Sequence, residues 1–282
     1  MQFRTDLAME AATDTMRHGI REWTEQGGSL VRLTADDAAA AELGKPAGVY
    51  LTATLPPLTD DERALEQQAQ VIGAQLRALL PPDGTVLVAG LGNEAITPDA
   101  LGPRTAARVL ATRHIPAELS RSVGLTGLRP CAVMTPGVLG NTGVESGEMV
   151  AGVCRAVGPA AVIAVDALAA RSLARLGCTV QIADTGIAPG SGVGNNRRAL
   201  CRDTLGVPVI GLGVPTVVDA ETVAQDLTGG TADAVSPHGC AMMVTPREID
   251  LMIDRAARLL AMTIHAALHP DYSPLELLAI AL

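Results

Sequence analysis

Aromatic side chains are scarce in this 282-residue sequence, which contains one Trp, one Phe and two Tyr. Basic residues are also few, since 21 Lys and Arg stand against 30 Asp and Glu and leave a formal net charge of −9. Nucleic-acid binders need cationic surface and often stack bases on aromatic rings. Sites for sugars or quaternary amines are commonly lined with rings as well. The composition therefore argues against all of these classes and predicts a core of aliphatic side chains and Met.

Paired cysteines and membrane-length apolar runs are lacking too. An odd number of widely spaced Cys without C-x-x-C favours neither a disulfide framework nor a zinc ribbon, and fits a reducing, intracellular setting. The N-terminus, MQFRTDLAMEA, carries acids and no apolar core of a signal peptide. The richest apolar stretch, Ala160 to Leu173, is interrupted by Asp166 and Arg171. We therefore expect a cytoplasmic protein without a membrane partner.

Short apolar runs that alternate with Gly-rich turns and helical stretches predict the fold. Runs that are apolar on both faces are typical of a buried parallel sheet, and alternation with helices indicates an α/β domain. The class expected is a three-layer αβα domain with a mostly parallel sheet, plus a small N-terminal arm and strand region, over residues 1–282. The predicted strands are Leu30–Thr34, Val49–Leu55, Val86–Ala89, Ala161–Val165, Val180–Ala183 and Val207–Leu212. The predicted helices between the later strands are Pro98–Thr112, Ser146–Val157 and Ala167–Leu176, and residues 220–241 are predicted to form a surface loop.

Capping residues predict where two strong helices begin. Thr59 and Glu62 form a T-x-x-E capping box before a run of Leu, Ala and Ile at helical spacing. Near the C-terminus, Thr245 at the N-cap, Pro246 at the first position and Glu248 at the third give a similar signal.

Acidic residues follow several of the predicted strands. Asp99 comes shortly after Val86–Ala89, Asp166 ends Ala161–Val165, and Asp184 and Asp219 follow later runs. Ligands of open α/β sheets bind beyond the carboxyl ends of strands, so these side chains converge if the sheet is parallel. Two facing carboxylates can share a proton and activate water as base and acid. The alternative is structural, because an Asp after a strand commonly caps the next helix and an Asp in a first turn complements its dipole.

Three further motifs are weaker. The Gly-rich loop 189–195 lacks the last Gly of the dinucleotide fingerprint and a Walker Lys, which favours a tight turn. Asp184-Thr185-Gly186 resembles the triplet of pepsin-like proteases but occurs once, so a supporting role or coincidence is the interpretation. His265 and His269, spaced for metal chelation, are better explained by capping or surface use. No metal or other cofactor is expected.

The sequence resembles the germination protease family of bacterial spores along nearly its whole length. The matching stretches keep the family's order, which makes the resemblance specific. They are RTDLA (4–8), GLGNEAITPDALGP (90–103), PGVLGNTGVES (136–146), IAVDALAAR (163–171), QIADTGIAPGSGVGNNRR (181–198), LGVPVIGLGVPTVVDA (205–220) and MVTPREID (243–250).

This resemblance implies an endopeptidase that degrades small acid-soluble spore proteins in the spore core, with a fold similar to hydrogenase maturation proteases. It implies Asp99 and Asp166 as the catalytic pair of an aspartic-type mechanism. Asp184, Gly92 and Asn93 are candidate supporting residues, because glycine loops offer N–H groups to an oxyanion.

The family also forms homotetramers and is made as a zymogen. The bond that matches its self-processing site is Asp6–Leu7, so residues 1–6 are a candidate propeptide. The acid, the apolar residue, the Ala and the later Glu10 resemble the cleavage sites in the spore proteins, which makes the N-terminus a candidate substrate mimic. Only six residues precede Leu7, and the segment after Asp219 is short for the family. Two alternatives stay open: a metal-dependent maturation-type protease, and a non-catalytic relative that binds spore proteins.

Overall fold

A mixed β-sheet organises the protein, whose computed structural model describes residues 5–12, 19–25, 28–60, 62–190, 198–228 and 242–281. The strands in these ranges are β1 (Ile20–Glu25), β2 (Gly28–Ala35), β3 (Gly48–Thr54), β4 (Val86–Gly90), β5 (Cys131–Met134), β6 (Ala161–Ala170), β7 (Thr179–Ala183), β8 (Val209–Asp219) and β9 (Met243–Val244). Their order is β1-β2-β3-β7-β8-β6-β4-β5, with β9 beside β8. The block β8-β6-β4-β5 is parallel and the other pairs are antiparallel. The predicted α/β class is confirmed.

Helices cover both faces of the sheet. They are α1 (Ala8–Ala11), α2 (Asp37–Leu43), α3 (Leu65–Leu79), α4 (Leu101–Ala106), α5 (Ala117–Ser122), α6 (Leu139–Thr142), α7 (Ser146–Val157), α8 (Arg202–Leu205), α9 (Ala220–Thr228), α10 (Ile249–Leu268) and α11 (Pro274–Ala281). Short 3₁₀ turns occupy Thr97–Asp99 and Leu173–Arg175. On one face, α3, α4 and α10 share a large apolar core with the sheet. On the other face, α7 packs over β4 and β6.

The central strands alternate between these two cores. In β4, Val86 and Val88 point to the α10 face and Leu87 and Ala89 to the α7 face. Successive side chains of a strand point to opposite faces, so a strand covered on both sides must be apolar throughout. This explains why the continuous apolar runs predicted these strands correctly.

Strand β6 is longer than predicted. The sequence Ala167–Leu176 reads as a helix because Ala and Leu have high helix propensity, but the chain continues as a strand to Ala170. It pairs with β8 as far as Ala170↔Val218, after a register shift between Leu168 and Ala169. Tertiary pairing therefore overrides local propensity here, and the helix prediction is wrong.

Both predicted helix starts are also wrong in detail. Helix α3 has Ala64 at its N-cap without a side-chain cap, and the Glu62 carboxylate instead meets Arg258 of α10 at 2.7 Å. Helix α10 has Glu248 at its N-cap, because the Thr245 hydroxyl donates to the Thr216 carbonyl 2.9 Å away. In both cases a contact distant in sequence uses the side chain that local spacing assigned to a cap.

Three other segments differ from the sequence-based expectation. Helix α9 occupies the first part of the predicted 220–241 loop, and residues 229–241 lie outside the described residues. The predicted helix Pro98–Thr112 is shorter, comprising the turn at Thr97–Asp99 and α4. The polar N-terminal region contributes β1 at the sheet edge, where four of its six side chains are exposed.

Candidate active site

The loop after β4 places Asp99 beside the strand that carries Asp166. The Leu91 N–H donates to the Val165 carbonyl at 2.8 Å, which holds this loop against β6. Gly102, in α4, leaves no room for a side chain, because a Cβ there would lie 2.1 Å from the Leu91 carbonyl oxygen. Asp99 and Asp166 line one cavity of about 340 Å³. The structure thus brings together the two carboxylates predicted as a pair.

Gly92 and Asn93 hold Asp99. The Asn93 N–H donates to Asp99 Oδ2 at 2.8 Å. Gly92 has a φ of +112°, and a Cβ on it would lie 2.1 Å from the Asp99 carbonyl oxygen. Only glycine adopts this positive φ and allows this close approach without strain. These two candidate supporting residues therefore lie where they orient a carboxylate.

Asp166 lies in a row of three residues on one face of the sheet. Its Cα pairs with Gly213 of β8, which in turn pairs with Gln181 of β7. Asp166 is 5% exposed, and its Oδ1 accepts the Ala167 N–H at 2.9 Å. Because directly paired residues project to the same face, Asp166 and Gln181 flank a glycine that has no side chain. Because the middle residue of this row has no side chain, another segment can lie against the sheet here.

The N-terminal segment lies against this row. The Asp6 N–H donates to the Ala169 carbonyl at 2.9 Å, and the Ala169 N–H donates back to Asp6 Oδ2 at 2.8 Å. Leu7 is completely buried and packs with Leu168, Ala170 and Val218. Asp6 also lines the cavity that contains Asp99 and Asp166. The Asp6–Leu7 bond is therefore seated at the predicted catalytic pair.

Residues on both sides of this bond are held as well. Gln181 Nε2 donates to the Asp6 carbonyl oxygen at 2.9 Å, and Gln181 Oε1 accepts the Ala8 N–H at 2.7 Å. The Glu10 carboxylate accepts the backbone N–H groups of Arg171 and Ser172 at 2.7 and 2.8 Å. Sequence reasoning named Glu10 but missed Gln181 and the N–H groups of Arg171 and Ser172. A glutamine in an otherwise apolar buried strand is the signal that could have found Gln181.

Lys45 is the basic side chain at the upstream end of the segment. Its Nζ donates to the Thr5 carbonyl at 3.1 Å. Burial lowers the pKa of Lys45, and the nearby acids Asp6 and Glu10 oppose part of that shift. An ammonium group so placed favours an acidic peptide segment in this groove.

Sequence comparison identifies the family of this chain. A family model described as Germination protease matches residues 4–229. The chain belongs to the germination protease family. Curated germination proteases are similar over most of their length: 38% identity for Caldanaerobacter subterraneus subsp. tengcongensis, covering 97% of this chain and 96% of the relative, and 36% for Clostridium acetobutylicum, covering 95% of each. A Bacillus cereus germination protease is 34% identical over 94% of this chain and 93% of its own.

A solved structure of a NiFe hydrogenase maturation protease from Thermococcus kodakarensis KOD1 aligns with a TM-score of 0.38 and 18% identity, over 67% of this chain and 98% of that one. Membership of the germination protease family makes the chain a spore-germination endopeptidase, a hydrolase of peptide bonds. Spore proteins are accordingly its class of substrate.

The other sequence-predicted residues differ in their relation to this cavity. Asp184 lies apart from it: its Oδ1 accepts the Val49 N–H at 2.7 Å, which ties β7 to β3. In the Gly-rich loop, Pro189 and Gly190 line the cavity with Asp99 and Asp166, whereas residues 191–195 lie outside the described residues. Along the described ranges, no group of three or more His, Cys, Asp or Glu side chains is placed to hold a metal. No helix in those ranges has the length and apolarity to cross a bilayer.

His265 and His269 are buried, so the predicted surface use is wrong, although His269 is the C-cap residue of α10. His265 Nε2 accepts the Leu110 N–H at 3.0 Å, and His269 Nδ1 accepts the Arg129 N–H at 3.3 Å. Burial lowers the pKa of each histidine to about 4. They serve as neutral acceptors that join the C-terminal end of α10 to the loops around β5.

Proposed function

We propose that this germination protease cleaves small acid-soluble spore proteins between an acidic and an apolar residue, using Asp99 and Asp166 as an aspartic-type pair. The observation that carries the proposal is the position of the Asp6–Leu7 bond. It combines an acid and an apolar residue, and Asp6 lines the same cavity as both carboxylates. A peptide segment held beside both carboxylates supports this proposal.

The proposed reaction needs one proton shared between Asp99 and Asp166. Two carboxylates in one cavity resist double ionisation, so one is protonated while the other is charged. The charged member takes a proton from water, whose oxygen adds to the carbonyl carbon of the scissile bond. The tetrahedral intermediate then breaks its C–N bond, and the departing nitrogen receives the proton of the other aspartic acid. Water and peptide become a carboxylic acid and an amine.

Specificity follows from the contacts of the seated segment. The pocket around Leu7 is apolar, which favours an apolar residue after the cut. The Ala169 N–H donates to the Asp6 carboxylate, which lies before the cut. The N–H groups of Arg171 and Ser172 receive the Glu10 carboxylate, four residues beyond the bond. Hydrogen bonds to a charged acceptor are the stronger kind, so acids at these two positions favour binding.

The same contacts support the N-terminal segment as the first substrate. While it lies on β6, the pocket of Leu7 is filled and a second peptide cannot enter. Cleavage after Asp6 removes residues 1–6 and frees the part of the groove before the cut. Assembly as a homotetramer and residence in the spore core stay predictions from the family resemblance.

The intact mass of the purified full chain tests this proposal. We expect the wild type to lose residues 1–6, whereas Asp99→Asn and Asp166→Asn keep them, because an amide cannot act as base or acid. Asp271→Asn is the matched control, since this carboxylate is exposed beyond α10, and it should be processed like the wild type. A folded Asp166→Asn protein that is processed at the normal rate would refute the aspartic pair.

A further inference from the structure

The side-chain amide of Gln181 contacts the bond that the proposed function identifies as scissile. Its Nε2 donates at 2.9 Å to the Asp6 carbonyl oxygen, which is the oxygen of the Asp6–Leu7 peptide. Its Oε1 accepts the N–H of Ala8 at 2.7 Å. The amide therefore makes one hydrogen bond to the residue before Leu7 and one to the residue after it.

The setting of Gln181 shows that this amide is built for a partner. Gln181 is 7% exposed in the middle of β7, whose remaining residues are apolar or Thr. A buried amide is costly unless its donor and acceptor are both satisfied. Both side-chain hydrogen bonds of Gln181 go to the N-terminal segment. When that segment leaves, another extended peptide would form hydrogen bonds with the same Nε2–H donor and Oε1 acceptor.

The geometry relative to Asp166 fits a role in the reaction. Gln181 and Asp166 lie in one row across the sheet and flank Gly213. A Cβ on Gly213 would lie 2.5 Å from the Asp166 carbonyl oxygen, so the gap between the two side chains stays open. The amide that holds the Asp6 carbonyl oxygen therefore lies on the same face of the sheet as Asp166.

We propose that Gln181 is a further catalytic residue, whose Nε2–H group stabilises the oxyanion formed when water adds to the scissile carbonyl. As the C–O bond to water forms, the electron pair of the C=O bond moves to the oxygen that Gln181 already contacts. The charge that develops there strengthens this hydrogen bond in the transition state. The protonated aspartic acid then keeps its proton for the departing nitrogen, while the charged one accepts the proton taken from water. In this inference a side chain stabilises the oxyanion, whereas the sequence analysis assigned that role to backbone N–H groups of the glycine loops.

This inference rests on the proposed function, and its test separates the two. The substrate is a synthetic peptide with the sequence of residues 1–14, and kcat and KM are measured once self-processing of the full chain is complete, because the uncleaved N-terminal segment fills the groove. Gln181→Met keeps the length of the side chain but removes both polar atoms. We expect kcat to fall by a factor on the order of 100, the usual effect of removing one oxyanion donor, and self-processing to slow in parallel. KM should rise less, because the ground-state carbonyl carries little charge.

Gln181→Glu gives a second measurement, the pH dependence of activity, which should not change if Gln181 has only a structural role. Its carboxylate cannot donate, whereas the protonated form can, so the activity relative to wild type should recover as the pH falls. Thr52→Val is the matched control. Thr52 is buried, pairs with Gln181 across β3 and β7, and its hydroxyl has no hydrogen-bond partner among the described residues. This variant should keep wild-type kcat.

The outcomes discriminate between the hypotheses. Folded Gln181 variants with wild-type kcat overturn the inference and leave the proposed function standing. A loss confined to KM, with no pH-dependent recovery in Gln181→Glu, also overturns it, because Gln181 would then only anchor the peptide. A wild-type protein that neither cleaves the peptide nor processes itself refutes both proposals. Circular dichroism and thermal unfolding confirm folding in each case.

Discussion

The buried pair His265 and His269 predicts that this protein loses stability in mild acid through two identifiable groups. Burial lowers the pKa of both side chains to about 4, and for His269 the neighbouring His265 and Arg129 add to that effect. In the unfolded chain a histidine titrates near pH 6.5. Between these values the unfolded state binds protons that the folded state does not. The free energy of unfolding is therefore fully present above about pH 6.5 and falls as the pH decreases toward 4.

The magnitude follows from the two pKa values. For one histidine, going from about pH 7.5 to about pH 5 costs about 2 kcal/mol of unfolding free energy, and two independent histidines would cost about 4 kcal/mol. Such a loss is a large part of the stability of an ordinary domain. Because both groups join α10 to loops around β5, the loss concerns the whole core on that face.

Urea unfolding at the two pH values measures this effect in matched variants. His265→Gln places an acceptor near the position of Nε2, and His269→Asn places one near Nδ1, so each keeps a partner for the backbone N–H but cannot titrate. We expect each variant to lose roughly half of the difference between the two pH values. His114→Gln, at an exposed histidine, should leave it unchanged. Variants as acid-sensitive as the wild type would refute the linkage.

Two further substitutions test the groove. Gly213→Ala places a Cβ 2.7 Å from Leu168 Cγ. We expect the free energy of unfolding in urea to fall by about 1–3 kcal/mol and peptide cleavage to slow. The control Gly140→Ala, which has open space around it, should change neither. Leu7→Ala removes most of a side chain from a completely buried position. Self-processing, followed by intact mass, should slow by more than tenfold if a few kcal/mol of packing is lost. The control Met9→Ala, outside that pocket, should slow it little.

Local rules could predict that Asp99 and Asp166 lie near each other, whereas their use as a catalytic pair rests on the family resemblance and stays a prediction. Asp99 and Asp166 follow apolar runs, and the carboxyl ends of parallel strands meet at one edge of a sheet. The structure places both in one cavity. The resemblance to germination proteases pointed to the Asp6–Leu7 bond, but its contacts with Ala169 and Gln181 join residues more than 160 positions apart. No local pattern reports such pairings.

The errors along β6 and the omission of Gln181 have a common cause. The strand-end rule stops at Asp166, yet β6 continues for four more residues, and it is this continuation that binds the peptide through Ala169. Likewise β7 runs antiparallel to β8, so its contribution to the site comes from the middle of the strand rather than from its carboxyl end. The rule therefore finds the two carboxylates of the proposed pair and misses the groups that hold the N-terminal segment. A groove that binds peptide main chain must offer backbone or amide donors and acceptors along several residues, and here the continuation of β6 and the middle of β7 supply them.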